Sequence, residues 1–407
     1  MRRINPENFR VATRGTSREI NRRIALNLVR ARQPISRADL ARLMGLRRGA
    51  VSLIVNDLLG EGLIFEGMTG ESERGRKPTF LYIDSRERCV IGVDIRVTRT
   101  SLMVTDLIGR QLLAVSSFPT EREPGRLAAE LGGRIRKLLA ENREVGVCEG
   151  VGVVVPGMVD RHTSRVIHAP TLGWRDVEIR ELLAASTGLP VHVENSGKAC
   201  ALAQVWATRG DAAAGGSDLV FVSVSDGIGV GVVVNGEILR GRHNIAGEFG
   251  HVPLSLDGPP CPCGASGCWE AYISNLATLS RYFGRNLREA KPVAAEVAVF
   301  TVEDLIVRAR GGDAKAIAAL EATARYLGLG LATIVNAVDP ARIYIGGEIT
   351  GAWDLIEPAV RAALAERALS PDAAGTEIRV VSLADHPRLR GAVALLTAPA
   401  FAAPAVA

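Results

Sequence analysis

Apolar residues recur at helical spacing twice within SRADLARLMGLRRGAVSLIVND, residues 36–57, and the two runs meet at Gly45. Leu40, Ala41 and Met44 make one inward face and Val51, Ile54 and Val55 the next, with Leu46 at the corner between them. Ser36 followed three residues later by Asp39 has the form of a capping box. Small Ala41 lets two helices cross closely, and Gly45 supplies a left-handed turn between them. The spacing predicts a helix-turn-helix. A preceding helix, from about Ser17 to Ala31, offers Ile20, Ile24, Leu28 and Ala31 as a third packing face. GLIFEGMTGESERGRKPTFLYID then reads as two short strands around a charged, glycine-containing tip, which makes residues 1–86 a winged helix-turn-helix.

From about Val90 the pattern changes. CVIGVDIRVTRTSLMVTDLIG reads as a hairpin, and EGVGVVVPGMVD, DLVFVSVSDGIGVGVVVNGEIL and ARIYIGGEITG as later strands ending in glycine turns, with longer amphipathic helices between them. This alternation predicts two α/β lobes with a ligand cleft at the strand ends. A chain of 407 residues that is 47% hydrophobic has ample material for two or three packed domains. The run DLVFVSVSDGIGVGVVVNG is interrupted by Asp226 and several glycines before it reaches spanning length, so no membrane span is expected.

Charge adds an asymmetry that the net +5 conceals. Residues 1–88 carry 18 Arg and Lys against 10 Asp and Glu, whereas the remainder carries 31 against 34. A basic module joined to a neutral body is the electrostatic pattern of a nucleic-acid-binding protein. Arg47, Arg48, Ser52 and Asn56 share the outward side of the second helix of the pair, and those residue types suit phosphates and base edges in a major groove. Arg76 and Lys77 on the wing are placed to reach the backbone or minor groove. The plainer alternatives are a solvated basic face or a helical hairpin that binds protein. The second leaves the clustering of Arg47 and Arg48 with Ser52 and Asn56 unexplained.

Half of the chain's six cysteines fall in HVPLSLDGPPCPCGASGCWE, residues 251–270. A disulfide would suit an exported protein, but MRRINPENFRVATRG lacks the apolar core of a signal peptide, so a reducing cytoplasm is expected. Pairing would also leave one cysteine over. His251-x9-Cys261-x-Cys263-x4-Cys268 instead supplies three thiolates and an imidazole, a closed tetrahedral set for one structural zinc per chain. Pro259, Pro260, Pro262, Gly264 and Gly267 make the segment a tight knuckle that a metal can fix where apolar burial cannot. Cys89, Cys148 and Cys200 stand alone in apolar contexts and read as core.

AGEFGHVPL followed by CPCGASGCWE resembles the signature of the ROK family (repressors, open reading frames and kinases), and the helix-turn-helix ahead of it resembles that family's transcriptional regulators. The resemblance runs from about residue 16 to 396. It implies an actin- and hexokinase-like two-lobed sugar-kinase fold for residues 87–407, serving effector binding and dimerisation. It also implies that His251 touches both zinc and sugar, and that Asn195, Glu248 and Glu270 hydrogen-bond sugar hydroxyls. The plainer reading is that Glu248 and Glu270 are exposed charges, or that Glu270 only buttresses the zinc loop. The kinases' phosphate turn, DxGGT, is replaced by Asp94-Ile95-Arg96-Val97-Thr98, so side chains stand where amides would cradle phosphate. Their GTGxG turn is replaced by Ser225-Asp226-Gly227-Ile228-Gly229, which puts a carboxylate in the path of the phosphate. Their general base, an aspartate, is replaced by Ser196. Ile345-Gly346-Gly347-Glu348 keeps part of the adenosine-side motif.

The expectation is therefore a cytoplasmic, homodimeric or higher-order regulator that represses from an inverted-repeat operator and answers to a small sugar or amino sugar. The alternatives are an active ATP-dependent sugar kinase that carries a DNA-binding domain, and a constitutive DNA-binding protein that no longer takes sugar.

Overall fold

The computed structural model describes residues 14–69, 77–208, 218–287 and 300–401. Helices α1 (Arg14–Arg32), α2 (Arg37–Met44) and α3 (Arg48–Gly60) enclose Leu40, Val51, Val55 and Leu58, all of them fully buried. The Ser36 hydroxyl accepts the Asp39 N–H at 3.1 Å and the Asp39 carboxylate accepts the Ser36 N–H at 3.2 Å, which starts α2 with the reciprocal cap that the spacing predicts. Gly45 ends α2 at φ 63°, a left-handed conformation that a Cβ would strain. Strand β1 (Ile35–Ser36) and the wing strands β2 (Ile64–Thr69) and β3 (Thr79–Ile83) form an antiparallel sheet with β3 in the middle.

The packing face of α1 differs from the expected one. Ile24 is 44% exposed and Ala31 is exposed, whereas Ala25, Leu26 and Val29 are buried. The reason is tertiary: α1 is covered both by its own unit and by the C-terminal helix Pro387–Phe401, so it has no single apolar stripe to read. Ala25, Leu26 and Val29 share a core with Trp206, Ala394, Ala398 and Phe401 from the far end of the chain.

The expected division between residues 86 and 87 falls in the connection from β3 to β4 (Arg88–Ile95). The first lobe is a five-stranded sheet of β4, β5 (Arg99–Thr105), β6 (Ser116–Pro119), β7 (Val147–Val155) and β11 (Val191–Asn195), in the order β11-β7-β4-β5-β6. Strands β8 (Met158–Val159), β9 (Val166–Ala169) and β10 (Trp174–Val177) form a small antiparallel sheet beside it. Helices α4 (Pro124–Glu141) and α5 (Ile179–Thr187) cover one face of the larger sheet through Leu127, Leu131, Ile135 and Leu183. The C-terminal helix lies on the other face. It comes so close that a Cβ at Gly152 would stand 1.9 Å from the Ala392 carbonyl oxygen, which is why β7 carries glycine there.

The second lobe orders β12 (Leu219–Val224), β13 (Ile228–Val234), β14 (Glu237–Ile238), β15 (Arg342–Gly346) and β16 (Glu377–Val380) as β14-β13-β12-β15-β16. The helix Ala314–Val338 is long and apolar enough to span a membrane by composition, yet its Leu327, Leu331 and Ile334 are buried in this lobe's core. Between the lobes runs α6 (Ser196–Thr208), whose Gly197 packs on Gly229 of β13 with no room for a Cβ.

Cys200 is buried on α6, but Cys89 and Cys148 are not solitary. They are direct partners on the parallel strands β4 and β7. Sequence distance hid a neighbour that strand pairing supplies.

Candidate ligand cleft, metal knuckle and DNA-facing surface

The strand ends of both lobes open on one cleft, and its walls include Asn195, Ser196, Glu248, His251 and Glu270. Asn195 ends β11 and caps α6. Its Oδ1 accepts the N–H groups of Gly197 at 2.9 Å and Lys198 at 3.2 Å, and its Nδ2 donates to the Gly157 carbonyl at 2.8 Å. One Nδ2 hydrogen remains to meet a ligand. Glu248 precedes a turn of 3-10 helix, Phe249–His251. Burial pushes its carboxyl above the ordinary range, against the pull of Lys198 and His251. Lys198 is itself buried, and its Nζ donates to the Asn244 carbonyl at 2.7 Å. Desolvation pulls the Lys198 ammonium down while Glu248 and Glu194 hold it up.

Glu270 is the second residue of α7 (Trp269–Ile273), whose N-cap is Cys268. Its Oε2 accepts the Ile228 N–H at 2.8 Å, and its Oε1 lies 3.8 Å from the Cys261 sulfur. Glu270 thus ties the cysteine knuckle to the β12–β13 turn, as the buttress reading expects, while its carboxylate also stands in the cleft wall.

The donor atoms of His251, Cys261, Cys263 and Cys268 all lie within 4.8 Å of one another. His251 Nδ1 is 3.6 Å from Cys261 Sγ, and Cys263 Sγ is 3.7 Å from Cys268 Sγ. Thiolates bound tetrahedrally at about 2.3 Å would stand roughly 3.8 Å apart, so the four donors fit a zinc-sized dication. Burial, with the charge of Glu270 and the neighbouring thiols, pushes the Cys261 and Cys268 thiols up, and a bound dication would reverse that. With Nδ1 turned to the knuckle, His251 Nε2 faces Glu248 at 4.0 Å.

On the phosphate side, the Arg96 guanidinium crosses from the first lobe to the second. Its Nη2 donates to Glu348 Oε1 at 2.7 Å and to the Ser225 hydroxyl, and it meets Asp226 Oδ2 at 3.4 Å. Burial pushes Glu348 up, but the charge of Arg96 and hydrogen bonds from Ser225, Asn275 and Arg96 outweigh it and hold the carboxyl below its ordinary value. Arg96 thus sits in an internal ion-pair cluster at the turn where the resemblance implies a kinase's phosphate cradle. Asp226 belongs to that cluster, and its charge is partly neutralised there.

Sequence reasoning missed Arg388, in the first turn of the C-terminal helix, which lines the same cleft and pairs through Nε with Asp94 at 2.7 Å. The available signal was a cation at a helix N-terminus, where the macrodipole favours anions.

On the DNA-binding unit, Arg47, Arg48 and Asn56 are exposed and Ser52 is partly so, all at the start or along the outer side of α3. Arg37, also missed, donates to Asn56 Oδ1 at 2.9 Å and to Glu66 Oε1 at 2.9 Å, fixing the recognition helix to the wing. Lys77 is exposed at the foot of β3, and Arg76 lies outside the described residues.

A winged helix-turn-helix joined to a two-lobed, sugar-kinase-like body with a His/Cys knuckle defines a transcriptional regulator built on a kinase scaffold. The profile of the ROK family matches residues 90–398, and the chain belongs to that family. It is 29% identical to a xylose repressor of Bacillus spizizenii over 86% of this chain and 88% of the repressor. A solved ROK family transcriptional regulator, homologous to the Escherichia coli Mlc protein, superposes with a TM-score of 0.77 at 25% identity, covering 95% of this chain and 97% of that one. A Streptomyces griseus ROK glucokinase in complex with glucose and AMPPNP superposes at 0.64 with 28% identity, covering 75% of this chain and 98% of the kinase.

Proposed function

We propose that the protein is a sugar-responsive transcriptional repressor, cytoplasmic because its DNA is, which binds an inverted-repeat operator as a homodimer. One observation carries the switch. Helix α6 starts in the cleft at Ser196 and the C-terminal helix starts there at Arg388, and both end against α1 of the DNA-binding unit. Each helix is about 20 Å long, so rigid rods join the two sites. At their far ends Asn27 Nδ2 donates to the Phe401 carbonyl at 2.8 Å and Arg30 Nη2 to the Trp206 carbonyl at 2.7 Å. A ligand that changes lobe closure displaces these helices, and with them the spacing of two recognition helices in a dimer.

In this reading His251, Cys261, Cys263 and Cys268 hold one structural zinc, which orients His251 Nε2 toward the effector. Glu248, His251, Glu270 and one hydrogen of Asn195 meet sugar hydroxyls, while Arg47, Arg48, Ser52, Asn56, Arg76 and Lys77 meet DNA. Kinship with a xylose repressor and a glucokinase makes xylose and glucose the first effectors to try. The competing reading, an active sugar kinase, draws on the glucokinase likeness. Against it stand Ser196 at the position of the base and the Arg96–Glu348 pair in the phosphate pocket. The test is to select the operator from random duplex DNA and measure its affinity by fluorescence anisotropy with and without each sugar. A several-fold loss of affinity with one sugar is expected. Identical affinity across all sugars overturns the switch.

A further inference from the structure

Arg388 occupies an unusual position. Its side chain is 16% exposed, its Nε is committed to Asp94, and its Nη2 is buried with no hydrogen-bond partner among the described residues. A buried guanidinium N–H that lacks an acceptor carries a penalty that most native structures avoid. The residue lines the cleft beside Arg96, Asn195 and Ser196. The acceptor such a donor takes up in a cleft wall is an oxygen of the bound molecule.

We propose that Arg388 is an effector-binding residue, donating an Nη2 hydrogen to an oxygen of an uncharged sugar. The inference rests on the reading of this cleft as a sugar site. The surrounding charges set the class of ligand: Asp94, Asp226, Glu248 and Glu270 stand around two guanidiniums, so a phosphorylated sugar meets more carboxylates than cations, whereas a neutral hydroxyl meets only hydrogen-bonding partners. The contact also explains how a sugar reaches the far end of the molecule. Arg388 is in the first turn of the helix whose last residue, Phe401, accepts a hydrogen bond from Asn27 of α1.

The test uses the full chain and three probes, D-xylose, D-glucose and N-acetyl-D-glucosamine, with dissociation constants measured calorimetrically. Arg388→Lys keeps a cation for Asp94 but loses the planar second donor, and is expected to weaken the sugar that binds by about 10- to 100-fold. The paired variant Asp94→Asn/Arg388→Gln removes both charges together and serves if the lysine variant does not fold, with thermal melting as the check on folding. Monodeoxy analogues of the bound sugar separate contact from scaffolding. The analogue lacking the hydroxyl that Arg388 meets should lose affinity for the wild type and lose little further for the variant. A folded variant with unchanged sugar affinity overturns the proposal, as does a variant that penalises every analogue equally. If the wild type binds none of the three sugars, the reading of the cleft itself fails, and the wild-type titration shows this before any variant is made.

Discussion

The guanidinium carbon of Arg30 lies 3.3 Å from the centre of the Trp206 ring, and its Nη2 donates to the carbonyl of the same residue. Arg30 belongs to α1 of the DNA-binding unit, and Trp206 to the last turn of α6, whose first residue stands in the ligand cleft. Arg30→Ala should therefore leave sugar affinity unchanged and reduce the sugar-dependent shift in operator affinity. Coupling of this kind is typically about 1 to 3 kcal/mol, or roughly 5- to 150-fold. Anisotropy titrations of the variant with and without sugar measure the shift, and a full-sized shift would move the coupling elsewhere.

Arg96 and Glu348 pair at 2.7 Å across the two lobes. Arg96→Ala leaves a buried carboxylate without its cation and should destabilise the protein by roughly 2 to 4 kcal/mol in urea unfolding, with much of the loss recovered by adding Glu348→Gln. Because Glu348 titrates below its ordinary value in the folded state, its contribution is full above the ordinary carboxylate range and is lost as pH falls through the depressed value. The gap between wild type and Arg96→Ala should accordingly persist at pH 7 and narrow in acid.

No ATP-dependent phosphorylation of any sugar is expected, and Ser196→Asp should not create it, since the restored base would still face a pocket filled by Arg96. A coupled ADP-release assay over the same sugars decides. Steady turnover by the unaltered protein would make it a kinase.

Elemental analysis should return one zinc per chain. Cys263→Ser, at the exposed cysteine of the knuckle, should lower metal content and weaken sugar binding together, because a metal held there would fix the His251 ring in the cleft wall. Full metal and full sugar affinity in that variant would contradict the four-ligand site.

Arg48→Ala should cost about 1 to 3 kcal/mol of operator affinity if the side chain reads a base, and should instead flatten the salt dependence if it meets phosphate. An Arg47→Ala/Arg48→Ala protein that binds its operator normally would assign DNA contact to another surface.

The local pattern by itself determined much of this molecule. Ser36, Asp39 and Gly45 encode their own cap and turn, because those effects act over three or four residues, and the His251–Cys268 segment brings four donor atoms suited to a metal together within one knuckle. Arg96 and Val97 likewise put side chains where the kinases' turn has glycines. What Arg96 pairs with could not be read, because Glu348 is 252 residues away from Arg96 and only the meeting of two lobes joins them. The same limit applies to α1, whose buried face is shared with Phe401 from the opposite end of the chain, and to Cys89, whose partner Cys148 arrives by strand pairing. Asn195 kept its predicted place but not its freedom, since the start of α6 claims its amide oxygen. Arg388 shows the same division: its charge is plain in the sequence, but that it turns from solvent to Asp94 in the cleft wall was decided by how the last helix packs on the first lobe.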